Sequence, residues 1–228
     1  MPAVYDNSVE VFNNVASTTL ESASFAVGGS NRVLYVFVAT GAVTPVDPSA
    51  VKWGGSGGTS LTQIGTTIDH HANGKFSLWR LIAPAAQTAT VHVTWPSSQD
   101  ERYFIAYSAK DADQTTPNNT VAQATGNSTA PSVAATSVSG DLAISGMTFL
   151  DTGGNADTIS TADTSRQEIE GTDLVFEGMG VSEATAAGAS TTMTWTLAHA
   201  RPWGIFALAI NGAAAGGYTP RATLLGVG

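Results

Sequence analysis

Apolar and polar residues alternate with a period of two along most of the chain. "KFSLWRLIA" sets Phe76 and Leu78 against Ser77 and Trp79 before turning fully apolar. "ATVHVTW" sets Val91, Val93 and Trp95 against His92 and Thr94, and "STTMTWTLA" sets Met193, Trp195 and Leu197 against Thr194 and Thr196. Such segments are strands with one buried and one wetter face. "VLYVFVA", "YFIAYSA" and "GIFALAI" are denser in apolar residues, which predicts central strands covered on both faces. No segment combines a 3.6-residue period with helix caps and sufficient length.

Turn chemistry divides these strands. Asn73-Gly74 in "HANGKF" predicts a type I′ hairpin, because both residues tolerate positive φ. "GGSNR" (28–32) and "SGD" (139–141) each precede an apolar strand. The four glycines of "WGGSGGTSL" (53–61) predict a flexible hairpin or a bulged edge. The polar stretch 111–138 reads as a linker or as a long connection carrying edge strands, since "TVAQA" and "SVAATSV" still alternate. A weak echo runs through the chain. "SNRVLYVFVAT" is answered by "SGDLAISGMTF", and "TATVHVTW" then "RYFIAYSA" by "TTMTWTLA" then "WGIFALAI". Duplication and convergent strand patterning both produce this. Punctuation about every ten residues predicts an all-β antiparallel two-sheet β-sandwich, jelly-roll-like, spanning 1–212, with a hinge and an extended C-terminal arm over 213–228.

Composition changes the picture in two ways. Only 12% of residues are charged, about half the usual share, while Gly, Ala, Ser and Thr are abundant. That is the surface of many extracellular, fibrous and virion β-proteins. The net charge is −9 and the nine Lys and Arg residues are scattered, so no nucleic-acid footprint is present. The absence of cysteine excludes disulfides and thiolate metal sites. The first residues have neither the basic nor the apolar region of a signal peptide, and no apolar run is long enough to span a bilayer. A chain starting at Met1 is then expected to fold in a cytoplasm. An outside-type surface without an export signal fits a virion component.

The order of "SNRVLYVFV", "VKWGG…SLTQIG", "FSLWRLIAPAAQTATVHVTW", "IAYSAKDADQTTP", "GDLAISGM" and "TTMTWTLA…WGIFALAI" resembles a β-sandwich module of bacterial surface proteins and phage structural proteins. The resemblance covers roughly residues 24–211 and departs at Lys110, where the module usually has Gly. Its motifs are turn and core residues. It therefore implies a fold and an assembly role, and no catalytic residue.

Candidate chemistry is sparse. Asp69, His70 and His71 are metal-ligand types, but adjacent strand residues point to opposite faces and cannot share one ion without a bulge. Asp100 and Glu101 are expected to be neighbours in a solvated turn rather than a converging acid/base pair. Asp151, Asp157, Asp163, Glu168 and Glu170 are acidic but lack the register of an EF-hand loop, which leaves calcium open. No nucleophile-elbow, phosphate-loop or dinucleotide fingerprint occurs. Asn118 and Asn127 match the glycosylation sequon by chance if the chain is not exported. Of the five Trp, Trp53 beside the glycine loop is the candidate for surface binding, and the others read as core. The expectation is a non-enzymatic structural protein without cofactor or metal. It would be a capsid decoration, head-fibre or tail component of a phage, made in the host cytoplasm and carried on the virion. Its partners would be itself or other virion proteins, with neither nucleic acid nor membrane. A carbohydrate- or surface-binding module at the cell surface, contacting glycan, is the alternative. In the arm, Tyr218, Pro220, Leu224, Leu225 and Val227 are the expected docking residues.

Overall fold

The computed structural model describes residues 1–150, 158–169 and 178–214. The first half contains β1 (Val4–Asn13), β2 (Ser17–Glu21), β3 (Phe25–Val27), β4 (Val33–Gly41), β5 (Ala50–Trp53), β6 (Thr59–Ser60), β7 (Thr62–His71), β8 (Gly74–Ile82), β9 (Gln87–Ala89), β10 (Val91–Gln99) and β11 (Glu101–Lys110). The second half contains β12 (Ala122–Ser128), β13 (Ser132–Thr136), β14 (Leu142–Phe149), β15 (Ile159–Ser160), β16 (Thr164–Ile169), β17 (Gly178–Thr185), β18 (Ser190–Thr194), β19 (Thr196–Leu197) and β20 (Arg201–Ile210). Every pairing is antiparallel.

The expected all-β, antiparallel sandwich architecture is present, but instead of one two-sheet sandwich over 1–212 each half stacks its own layers. In the first half the five-stranded sheet β1-β11-β4-β8-β7 stacks on the four-stranded sheet β2-β10-β5-β6. In the second half the sheet β12-β20-β14-β17-β16 stacks on the pair β13-β18, with β15-β19 beside it. The two five-stranded sheets have the same order of equivalent strands. The echoed segments fall on equivalent strands too: β4 with β14, β10 with β18, and β11 with β20.

The two large sheets then face each other, giving four layers. Strand β4 shows why. Leu34, Val36 and Val38 pack against the outer sheet, whereas Tyr35, Phe37 and Ala39 enter the central cluster with Ile144, Leu208 and Ile210 of the second half. Both faces of β4 and β14 are buried; β4 is an apolar run from Val33 to Ala39, while β14 also buries Ser145 and Thr148. Each fully buried large apolar side chain contributes on the order of 1.5–3 kcal/mol. Close approach at the centre depends on Gly146: a Cβ there would lie 2.2 Å from the Phe37 ring.

Most turns follow the sequence reading. Gly54 and Gly55 adopt positive φ in the β5–β6 hairpin, and Gly140 does so in the turn before β14. The stretch 111–138 supplies strands β12 and β13. The Asn73-Gly74 turn is a correction. His71 pairs with Gly74, so Ala72 and Asn73 form the loop, and neither Asn73 nor Gly74 has positive φ. A register shift between Asp69 and His71 moves the turn by one residue. The arm residues Tyr218, Pro220, Leu224, Leu225 and Val227 lie outside the described residues.

Candidate functional site

The edge strands of the two central sheets meet at β1 and β16, and a cleft of about 480 Å³ opens there. Its walls are Pro2 to Tyr5 leading into β1, Gly140 to Leu142 leading into β14, Arg166 of β16, and Glu183 and Thr185 of β17. Arg166 owes its direction to a bulge. The β16–β17 ladder passes from Ser165 to Gln167, and Arg166 is the extra residue. Bulges re-aim side chains in this way.

Arg166 stacks its guanidinium 4.0 Å from the centre of the Tyr5 ring and pairs with Glu183. Glu183 also accepts the Tyr107 hydroxyl proton. The Glu183 hydrogen bond holds the Arg166 pKa above its ordinary value, so the guanidinium stays charged. Burial, followed by the negative charge of Glu183, pushes the Tyr107 phenol well above its usual range, so Tyr107 stays a donor. The rings of Tyr5 and Tyr107 lie 5.4 Å apart. Gln167 donates to the Ser8 hydroxyl at 3.0 Å, joining the halves again.

The cleft therefore holds a neutralised Arg–Glu pair and one further carboxylate, Asp141. Oδ2 of Asp141 accepts the Val138 amide at 2.8 Å, and its other oxygen takes no hydrogen bond among the described residues. Ala3, Val4, Pro2 and Leu142 make the rest apolar. Such a surface suits an apolar segment carrying one cation. Sequence reasoning missed these residues because Arg166, Glu183 and Asp141 are isolated in the chain. One signal was legible: Glu183 is a lone acid in the middle of "GMGVSEAT", a strand of small and apolar residues.

At the opposite edge, β7 meets β12. There Gln123 of β12 donates to the Thr66 hydroxyl of β7 at 2.8 Å, and Asn118, ahead of β12, accepts from Arg80 of β8 at 2.6 Å and from Tyr35 of β4 at 3.0 Å. The Asn118 amide donates to the Asn119 carbonyl at 2.6 Å. The first sequon asparagine is thus an internal hydrogen-bonding hub.

The other candidates separate as strand geometry demands. His70 is buried and His71 is half-buried, taking the Asn73 amide on Nδ1 at 3.2 Å. Asp69 pairs with Lys75 at 2.6 Å. Asp100 is exposed, but Glu101 is fully buried and accepts the Tyr103 hydroxyl at 2.9 Å. The expectation of a solvated turn therefore fails for Glu101, whose β11 position faces the interior. Asp163 accepts the Thr194 amide and Glu168 the Ser165 hydroxyl. Asp151, Asp157 and Glu170 lie outside the described residues. Among the described residues no three metal-ligand side chains converge, and no helix is long and apolar enough to cross a membrane.

Trp53 is placed inside rather than on the surface. It is 2% exposed, packs edge-on to Phe25 with centroids 5.1 Å apart, and donates its indole N–H to the Ala85 carbonyl at 3.3 Å. Its register opposite Val91 decides this, because Val91 faces the same core. The other four Trp are buried as well. No protein-family model, curated protein or solved structure matches the chain.

Proposed function

We propose that the protein is a non-enzymatic structural subunit of a phage particle, a capsid decoration, head-fibre or tail component. It would assemble with copies of itself or with other virion proteins through sheet edges and the C-terminal arm. The observation that carries this reading is the stack of two sandwiches joined through an aromatic-rich centre. The stack uses large side chains and buried charges to make a stiff block. Glu183, Arg102 and Asn118 are each held by several internal hydrogen bonds. The central sheets bring their edges together, at β1 with β16 and at β7 with β12. The edges β2, β6 and β13 of the outer sheets are then the strands on which neighbours can add.

The sparse surface charge and the resemblance to phage and surface sandwich modules support the same reading. Purified virions of the encoding phage, probed with antibody against this chain, should carry it at regular positions. Its absence from washed particles would reject the proposal. The carbohydrate-binding alternative lacks an exposed tryptophan platform among the described residues, and glycan-array binding by the isolated protein would revive it.

A further inference from the structure

We infer that the cleft between β1 and β16 is the seat for the C-terminal arm of a second copy, and that two copies exchange arms reciprocally. This rests on the reading of the protein as an arm-assembled subunit. Five large apolar side chains are exposed among the described residues: Met1, Val4, Val15, Val43 and Val138. Val4 lines this cleft, Met1 precedes the lining residue Pro2 in the chain, and Val138 donates its backbone amide to the lining residue Asp141. An exposed apolar side chain in a cleft with further apolar lining marks an interaction surface.

The occupant is indicated by where the described chain stops. Gly212 lies against the backbone of Met1 and Pro2, so closely that a Cβ there would be 2.1 Å from the Met1 carbonyl. The Met1 amino group donates to the Ala213 carbonyl at 2.7 Å. Chain exit and cleft therefore share one pole. Beyond Ala214 the sequence has 14 further residues, 215–228. Seven residues carry Arg221 up to about 23 Å from Ala214, ample to reach a facing subunit.

The chemistry matches. Arg221 is the only charged side chain of "GGYTPRATLLGVG", and Asp141 is the cleft carboxylate with an oxygen to spare. Leu224, Leu225 and Val227 match the apolar wall of Ala3, Val4 and Leu142. Since exit and seat lie at the same pole, two copies meeting pole to pole satisfy both arms and both seats. The contact closes as a twofold dimer instead of running on into a filament. After one arm docks, the second docks as an intramolecular event, which offsets the weakness of a single arm.

The test uses the full chain and its mass in solution across a concentration series. Wild type should be dimeric. Removal of residues 216–228, Val4→Asp and Asp141→Arg should each raise the dimer dissociation constant about tenfold or more. Melting of the monomer should be unchanged by the truncation and by Val4→Asp, which separates lost docking from lost folding; Asp141→Arg also loses the bond from the Val138 amide and is read through its rescue partner. Asp141→Arg combined with Arg221→Asp should restore the dimer. A Val4→Asp chain, which keeps its arm, mixed with a truncated chain, which keeps its seat, forms one of the two contacts and should pair more weakly than wild type but more tightly than either variant with itself. If the cleft variants stay dimeric while truncation dissociates the protein, the seat lies elsewhere and the inference fails, although arm-driven assembly survives. If truncation leaves the dimer intact, the arm reading fails as well. A monomeric full chain whose arm cross-links to its own cleft would overturn the exchange in favour of a self-cap.

Discussion

The two halves build the same five-stranded sheet order from different side-chain volumes. In the central cluster the first half supplies Tyr35, Phe37, Phe76, Tyr103 and Tyr107, while the second half supplies one aromatic, Phe206, among aliphatic residues. Where the first half has Phe37 at its centre, the second half has Gly146 facing it. Two identical faces would set ring against ring near a twofold axis and hold the sheets apart. Unequal faces interdigitate to native density. The outer layers diverge as well. The first half has a four-stranded outer sheet over a core that includes three Trp. The second half has two-stranded pairs, and it draws its sheets together over glycines: a Cβ on Gly180 would lie 2.5 Å from the Trp195 ring. The two halves thus interlock where large side chains of one meet small residues of the other, Phe37 against Gly146.

Separating the halves tests that interlock most severely. Residues 1–115 and 116–228 expressed alone would expose the central faces of both sheets. Neither fragment should give a soluble, cooperatively melting species, and mixing them should recover structure. Two fragments that each melt cooperatively would mean that the halves are independent.

Glu183→Gln attacks the charged side of the junction. The change leaves Arg166 without its anionic partner and weakens the acceptor of Tyr107. Breaking a largely buried pair costs about 3 kcal/mol, to be read from urea unfolding. The change Asn118→Ala, next to the other edge, removes an uncharged acceptor of Arg80 and Tyr35 together with its bond to the Asn119 carbonyl, and should cost roughly 1–2 kcal/mol. Equal losses would remove the distinction between the two edges.

Gly146→Ala should cost about 1–3 kcal/mol by overpacking against Phe37. Pairing it with Phe37→Leu should recover part of the loss. Additive losses in the double variant would show that the two residues do not share one space.

The smallest effects separate the outer sheet from the junction through pH. Glu21 has its pKa lowered, first by the Thr90 hydroxyl, 2.5 Å away, and then by His92. Its contribution is present above the ordinary carboxylate pKa and is lost as pH falls through the folded value. Glu10 on β1 has its pKa raised, first by desolvation and then, against a lowering hydrogen bond from the Glu168 backbone, by the charge of Glu168. Its ionisation costs stability as pH rises from the unfolded to the folded pKa. Glu10→Gln should therefore stabilise the protein at pH 7 and change nothing at low pH. Glu21→Gln should destabilise it at pH 7 and flatten the acid side of the stability curve. Each change should stay within about 0.5 kcal/mol, as exposed positions usually do. Melting curves at several pH values read both signs.

The strands, their two-faced or one-faced burial, most of the turns and the internal echo could be read from local pattern, because period-two alternation and glycine placement are properties of short segments. The same reading separated His70 from His71, since neighbours on a strand must diverge. It could not place Trp53, whose burial depends on its register opposite Val91, nor could it bury Glu101, which sits in the same strand as the Tyr103 that donates to it. The cleft was further from reach. Tyr5, Tyr107, Asp141, Arg166 and Glu183 are isolated in sequence and become neighbours only when two sheets of equal topology stack face to face. Local pattern determined that this chain is built of antiparallel strands, some buried on one face and some on both. Only the tertiary structure decided that the halves close on each other, because that choice depends on side-chain volumes meeting across more than a hundred residues, Phe37 against Gly146.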